Sequence, residues 1–373
     1  MNKILYFTRF LPSLQRGGGS RRTLQIIEAL QELNIKILSA PRGDEVPSGV
    51  FEQIEEAVRQ LDITTDARPS DLAPWSPQRR RGVFRLREIS RAWRENEAIF
   101  QGLSLAIVDD PLYFHPLVDS LRQQGIPMVA ICHNIESLST GQVAEHSTME
   151  LLTLEIGILK KSDLVVTISK EEDWLLNNLG IPSYFFPYFP VAEVKERMTA
   201  IRRKRIHTKK NGYLMVGTAH NIQTRRGMEQ LIRFWIQRGL SKQFGPLQVA
   251  GYATETFIQK PDINSGVELL GSLDDDALDN VLSQTNGCIC YQESGAGALT
   301  RIPELRLADV PIMANTYAAR SYSGQPGVIE FGRLDDLPDL LNANERLEGQ
   351  SPSPEAPGNQ ILIDRIKELF PQS

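Results

Sequence analysis

Two series of short apolar runs alternate with segments of helical spacing, with a charged break between the series. In the first series the runs are Ile4–Phe7, Ile35–Ser39, Leu105–Asp109, Met128–Cys132 and Leu164–Ser169, and Tyr184–Phe189 adds an extended segment broken by Pro187. In the second they are Tyr213–Val216, Leu247–Ala250, Val267–Leu270, Cys288–Tyr291 and Ile312–Asn315. Runs this short and this apolar suit strands buried on both faces, as in a parallel sheet covered by helices. Helical spacing joins Leu24, Ile27, Leu30 and Leu33, and further helices are expected at about 149–161, 226–238, 275–284, 299–308 and 335–346. Two βαβα series in succession predict an α/β protein with two Rossmann-like, doubly wound domains facing a cleft.

The expected boundaries follow the changes in composition. Residues 1–192 form the first domain, with an irregular stretch over 43–78 rich in Pro, Asp, Ser and Thr. Residues 193–211, including KERMTAIRRKRIHTKKN, read as a basic connection without a sustained apolar face. Residues 212–350 form the second domain. In 351–373 the linker SPSPEAPGN leads into an amphipathic helix, Gln360–Phe370. At 373 residues the chain is long for a single core.

The net charge of −5 argues against nucleic acid as a partner. Cys132, Cys288 and Cys290 all lie in strand-like runs and read as buried thiols of a reducing compartment, with too few ligands nearby for a metal. The apolar run of the N-terminus is short, Arg9 interrupts it, and no small-residue cleavage pattern follows, so no signal peptide is expected. No run reaches the ~18 apolar residues of a membrane span. The expected location is cytoplasmic.

In doubly wound sheets chemistry gathers at the carboxyl ends of strands. Gly17-Gly18-Gly19-Ser20 follows the first strand and precedes a helix, a place for amide contacts to phosphate or sugar, but the spacing is not that of a dinucleotide fingerprint. The alternative is a plain β–α turn. His133-Asn134 ends an apolar strand, with Glu136 close behind, which suggests substrate contact. Asp109-Asp110 could in principle bind a metal but reads as a strand-end loop. In YQESGAGALTRIPEL the glycines Gly295 and Gly297 precede a helix expected to start near Leu299. An anion at that helix start, with Arg301 as a fork of donors and Glu304 accepting from sugar hydroxyls, would fit a nucleoside diphosphate. The alternative is a tight turn and a surface ion pair. A serine hydrolase is disfavoured because no G-x-S-x-G elbow occurs, and no Walker A sequence is present.

Taken in order, GGGSRRTLQIIEALQELNIKI, HNIE, LKKSDLVVTISKEEDWLLNNLGI, YLMVGTAHNIQTRRGMEQLIRFW, LQVAGY and VELLGSLDDDALDNVLSQTNGCICYQESGAGALTRIPEL resemble collinear segments of the GT-B glycosyltransferases, most closely glycosyltransferase family 4. The resemblance implies a retaining, metal-independent, hexosyltransferase-like enzyme with no cofactor beyond its nucleotide-sugar co-substrate. It implies that Glu304 receives the ribose hydroxyls, that Arg301 and Gly297 face the diphosphate, and that Gly18 and Gly19 close over it. His133 would approach the donor sugar as the catalytic-site residue. The basic pair after the first strand of the second domain corresponds to Arg225 and Arg226, or to His220, in an uncertain register. The chain departs from the pattern at Ala296, where many members carry a glutamate.

RRRGVFRLREISRAWR, residues 79–94, carries seven arginines. By resemblance, Arg79, Arg80, Arg81 and Trp93 would form an acceptor or peripheral membrane face. The alternative is a solvated helix with its apolar side on the core. The expected partners are a nucleotide sugar and a glycan or lipid-linked acceptor, in polysaccharide or glycoconjugate synthesis. Two other functions stay open: a non-catalytic nucleotide-sugar-binding or scaffold protein on the same fold, and a sugar epimerase or phosphorylase.

Overall fold

The computed structural model describes residues 3–10, 12, 17–39, 74–95, 97–139, 141, 147–343 and 353–370. Most of the stretch expected to be irregular, 43–73, lies outside them. The chain divides into two compact units, residues 1–188 with 357–373, and residues 189–356.

The first unit holds a six-stranded sheet of β1 (Lys3–Thr8), β2 (Lys36–Ser39), β3 (Leu103–Asp109), β4 (Met128–Ile131), β5 (Leu164–Thr167) and β6 (Ser183–Phe185). The order is β2-β1-β3-β4-β5-β6, and every pairing is parallel. Alternate residues of one strand feed opposite cores. Leu5, Phe7, Ala106 and Val108 pack with Val83, Leu86 and Ile89 of the helix Pro77–Glu95 and with Leu117 and Leu121 of the helix His115–Gln123. Ile4, Tyr6, Leu105, Ile107, Val129 and Ile131 pack on the other face with Ile26 of the helix Gly18–Ala29. Leu362, Ile363 and Ile366 of the helix Asn359–Lys367 join that second core. The C-terminal helix therefore belongs to the first sheet, and Lys367 pairs with Glu32 beside it.

The second unit repeats the plan. Its strands are β7 (Tyr213–Val216), β8 (Leu247–Ala250), β9 (Val267–Gly271), β10 (Cys288–Cys290), β11 (Ile312–Asn315) and β12 (Val328–Phe331). Their order is β12-β11-β10-β7-β8-β9, again all parallel. The sequence reading lacks β12, whose Val-Ile-Glu-Phe is too short and mixed to stand out without its neighbour. All three cysteines are buried free thiols.

The stretch read as a basic connection is a helix, Ala192–Arg205, within the second unit. Val194, Met198, Ile201 and Arg205 recur at helical spacing and are buried, a stripe that the surrounding charges hide from inspection. Arg205 is more than surface charge. It donates to the carbonyls of Leu282, Thr285 and Asp309, at the ends of the helices Asp275–Gln284 and Arg301–Leu307. Helix C-termini leave such carbonyls without partners, so one guanidinium ties two ends together. Arg205→Met should destabilise this unit by about 3 kcal/mol, since buried acceptors are left unsatisfied. Thermal unfolding should show it as a drop of roughly 6–10 °C; a drop below about 2 °C would contradict this role.

The helix Pro77–Glu95 turns Val83, Leu86 and Ile89 to the core. Trp93 is half-buried, with its ring 5.2 Å from Phe7 and 5.6 Å from Phe114. Its apolar side is committed to the core, so Trp93 is not a surface wedge. Arg80 is exposed, and its Nε donates to the Trp75 carbonyl at 3.0 Å. The side chains of Arg79 and Arg81 lie outside the described residues.

Candidate active site

Each sheet has one place where the strand order reverses. In the first, β1 leads to β2 on one side and to β3 on the other; in the second, β7 leads to β8 on one side while β10 lies on the other. At such points adjacent loops leave in opposite directions and open a crevice at the carboxyl edge, where ligands bind. Asp109, Asp110 and His133 lie at the first of these places, and Arg301 and Glu304 follow β10 at the second.

At the first switch point, β1 ends at Thr8 and is followed by Arg9 and Phe10, β3 ends at Asp109, and His133 follows β4. His133 Nε2 donates to Asp109 Oδ1 at 2.6 Å. Asp109 Oδ2 accepts from the hydroxyls of Thr23 at 2.7 Å, Thr8 at 2.8 Å and Tyr6 at 3.2 Å. Asp109 is buried, which by itself would raise its pKa. The His133 charge and these hydrogen bonds outweigh burial and hold it below the usual carboxylate range. Burial would likewise depress the His133 imidazolium, but Asp109 and Asp110 raise it above the ordinary histidine value. The ring lies 4.6 Å from that of Phe10.

Asp110 sits at φ 55° beside this pair. Its Oδ2 accepts from Arg9 Nη2 at 2.7 Å, and its Oδ1 lies 3.4 Å from the His133 amide. Arg9 also reaches Glu136 Oε1 at 3.3 Å, Tyr113 donates to Glu136 Oε2 at 3.2 Å, and the guanidinium lies over the rings of Phe10 and Tyr113. Glu136 is therefore a buried partner of Arg9 rather than the substrate contact that its place after His133 suggested. The ligand atoms of Asp109, Asp110 and His133 lie within 4.8 Å of one another, a set that a divalent cation could use. Every carboxylate oxygen of the set already has a protein donor, and Arg9 supplies the positive charge.

Phe10, just after β1, meets the start of the helix Gly18–Ala29 here. Gly17 is its N-cap without a side-chain cap, and Gly18 opens it. A Cβ on Gly19 would fall 2.4 Å from the Phe10 ring, so glycine lets the helix start approach Phe10 and, through it, His133.

At the second switch point, Tyr291–Thr300 leaves β10 as an irregular loop. Gly297 adopts φ 68°, a left-handed conformation natural to glycine. The helix that follows is shorter than expected and starts later, at Arg301–Leu307 with Thr300 as N-cap. So short a helix carries little dipole with which to favour an anion. Arg301 is half-buried, and its Nη1 donates to the Val216 carbonyl at the end of β7. One arm of this arginine therefore binds β7 to the helix instead of pointing outward. Glu304, one turn on, is buried.

The helix Ile222–Gln237 starts beside the same edge, with Asn221 Oδ1 accepting from the amides of Gln223 and Thr224. Arg225 is half-buried within its first turns and Arg226 is exposed. His220, the other basic candidate, lies against Tyr252 with ring centroids 4.9 Å apart. Sequence reasoning missed Arg320. It follows β11 and donates to the carbonyls of Gly297 at 2.7 Å and Ala296 at 2.6 Å, and to Gln292 Oε1 at 2.9 Å. It also missed Arg9, seen only as an interruption of the N-terminal apolar run. In both cases the available signal was a basic residue within five positions after a strand end.

No protein-family model matches the sequence, and no curated protein is detectably similar to it. Solved structures are similar in fold. Sucrose-phosphate synthase from Thermosynechococcus elongatus is 16% identical at TM-score 0.63, over 99% of this chain and 95% of that one. HepE from Anabaena, in complex with UDP-glucose, is 13% identical at TM-score 0.61, over 99% of this chain and 98% of that one. A glycosyltransferase from Rickettsia africae is 12% identical at TM-score 0.60, over 99% and 95% of the two chains. With its two all-parallel six-stranded sheets, this chain has the fold of the GT-B glycosyltransferases, two Rossmann-like domains in one polypeptide.

Proposed function

We propose that the protein is a nucleotide-sugar-dependent glycosyltransferase. The observation that carries this reading is the loop from β10 to Glu304 at the switch point of the second sheet. It sets amides, an arginine and a buried carboxylate in chain order, as a nucleoside diphosphate requires. Glu304 accepts the ribose hydroxyls, the loop amides with Arg225 and Arg226 face the diphosphate, and Arg301 braces the loop against β7. Departure of the diphosphate develops negative charge, which such donors stabilise without a divalent metal. His133, held by Asp109, acts at the sugar, and Gly18 and Gly19 bring the first helix close to it. The acceptor is a glycan or a lipid-linked sugar taken by the first unit, and transfer proceeds with retention.

The fold likeness supports this reading: HepE carries UDP-glucose in its complex. Thermal unfolding with UDP, GDP, ADP, CMP and TDP tests it. At a hundredfold excess over its dissociation constant one nucleotide should stabilise the wild type by about 2.7 kcal/mol. Glu304→Ala should lose that shift. If none of the five shifts the wild type, the donor site is misassigned. The inward turn of Arg301 favours a second reading, a nucleotide-sugar-binding protein without transfer; it would bind a nucleotide and release none from a donor.

A further inference from the structure

We propose that Arg320 is a positioning residue that holds the loop Gly295–Ala298 so that the Ala298 amide faces the donor diphosphate, an inference resting on the function proposed above. Arg320 Nε donates to the Gly297 carbonyl at 2.7 Å and Nη2 to the Ala296 carbonyl at 2.6 Å. Nη1 donates to Gln292 Oε1 at 2.9 Å and to the Tyr317 carbonyl. Four of the five N–H groups of the guanidinium are thus engaged by the protein, which makes it a clamp first.

The consequence follows from peptide geometry. No cis bond occurs among the described residues, and in a planar trans peptide the C=O and the following N–H point opposite ways. With the carbonyl of Gly297 drawn to Arg320, the N–H group of Ala298 points away from it. The left-handed Gly297 turns the chain between the two carbonyls that Arg320 holds.

The base of the clamp is itself fixed. Asn315 Oδ1 accepts from the Gln292 amide at 3.0 Å, and its Nδ2 donates to the Gln292 carbonyl at 2.7 Å. These bonds join the ends of β10 and β11, the strands from which the loop and Arg320 emerge. Gly295 completes the fit, since a Cβ there would lie 2.4 Å from Arg320 Nη1.

The test is titration of the full chain with UDP, GDP, ADP and TDP. Arg320→Ala should weaken the nucleotide that binds wild type by about 10–100-fold, as loss of alignment does. Arg320→Lys, or millimolar guanidinium added to Arg320→Ala, should restore part of the affinity, which a merely unfolded variant would not do. Gly295→Ala should weaken binding too, and should add nothing to Arg320→Ala, because both act through one contact. Unchanged affinity in a folded Arg320→Ala or Arg320→Gln overturns the inference and leaves the donor site standing. If wild type binds none of the four, the proposed function falls, and this inference with it.

Discussion

Replacing His133 by alanine should lower the turnover number for sugar transfer by about 10²–10³-fold while leaving nucleoside diphosphate affinity within about twofold. The split follows from where the groups lie. His133 stands in the first unit at the end of β4, whereas the residues assigned to the nucleotide follow β7 and β10 in the second. Its Nε2 is engaged by Asp109, so under the proposed function Nδ1 is the nitrogen that would meet the sugar. Paired single-turnover and binding measurements check this. A change in turnover below about threefold would remove His133 from the chemistry.

Asp109→Asn should act through the same imidazole and also through stability. An asparagine removes the buried charge opposite His133 and leaves three hydroxyls donating to a weaker acceptor. Breaking a buried pair in this way costs about 3 kcal/mol. The sign with pH can be derived. The raised His133 contributes stability that is complete below the unfolded histidine pKa of about 6.5 and lost as pH rises through its folded value. The lowered Asp109 contributes stability that is complete above about 3.9 and lost as pH falls through its folded value. The deficit of the variant should therefore be largest between about pH 4 and 6.5 and shrink on the alkaline side. Denaturant unfolding across pH reads this directly, and a deficit that grows above neutral pH would contradict the ion pair. The imidazole titration in the variant should also move down, because burial and the Arg9 charge depress it and the support of Asp109 is lost.

The two sheets were legible because strands buried on both faces must be continuously apolar, and such runs stand out in a sequence. Strand ends then located His133, Gly297, Arg301 and Glu304, since the carboxyl edge is where a doubly wound sheet exposes polar groups. What stayed hidden were partnerships across the sheet. His133 was visible, but Asp109 lies far from it in sequence and meets it only because β3 and β4 pair in register, Asp109 opposite Ile131. Arg320 was hidden for the same reason, since its partners lie in a loop that leaves the neighbouring strand. The helix Ala192–Arg205 was misread because its buried stripe ends in an arginine, and an arginine counts as polar until its carbonyl partners are seen. For Trp93 the structure agrees with the alternative of an apolar side on the core, its ring lying beside Phe7 and Phe114.

The most direct test of the central claim is release of nucleoside diphosphate from a panel of UDP-, GDP-, ADP- and TDP-linked sugars. The wild type should release one of the four diphosphates, faster when glycan acceptors are present, and His133→Ala should bind the same nucleotide yet release it far more slowly. If the wild type binds a nucleotide and leaves every donor intact, the protein is a binding module on a glycosyltransferase fold and not a transferase.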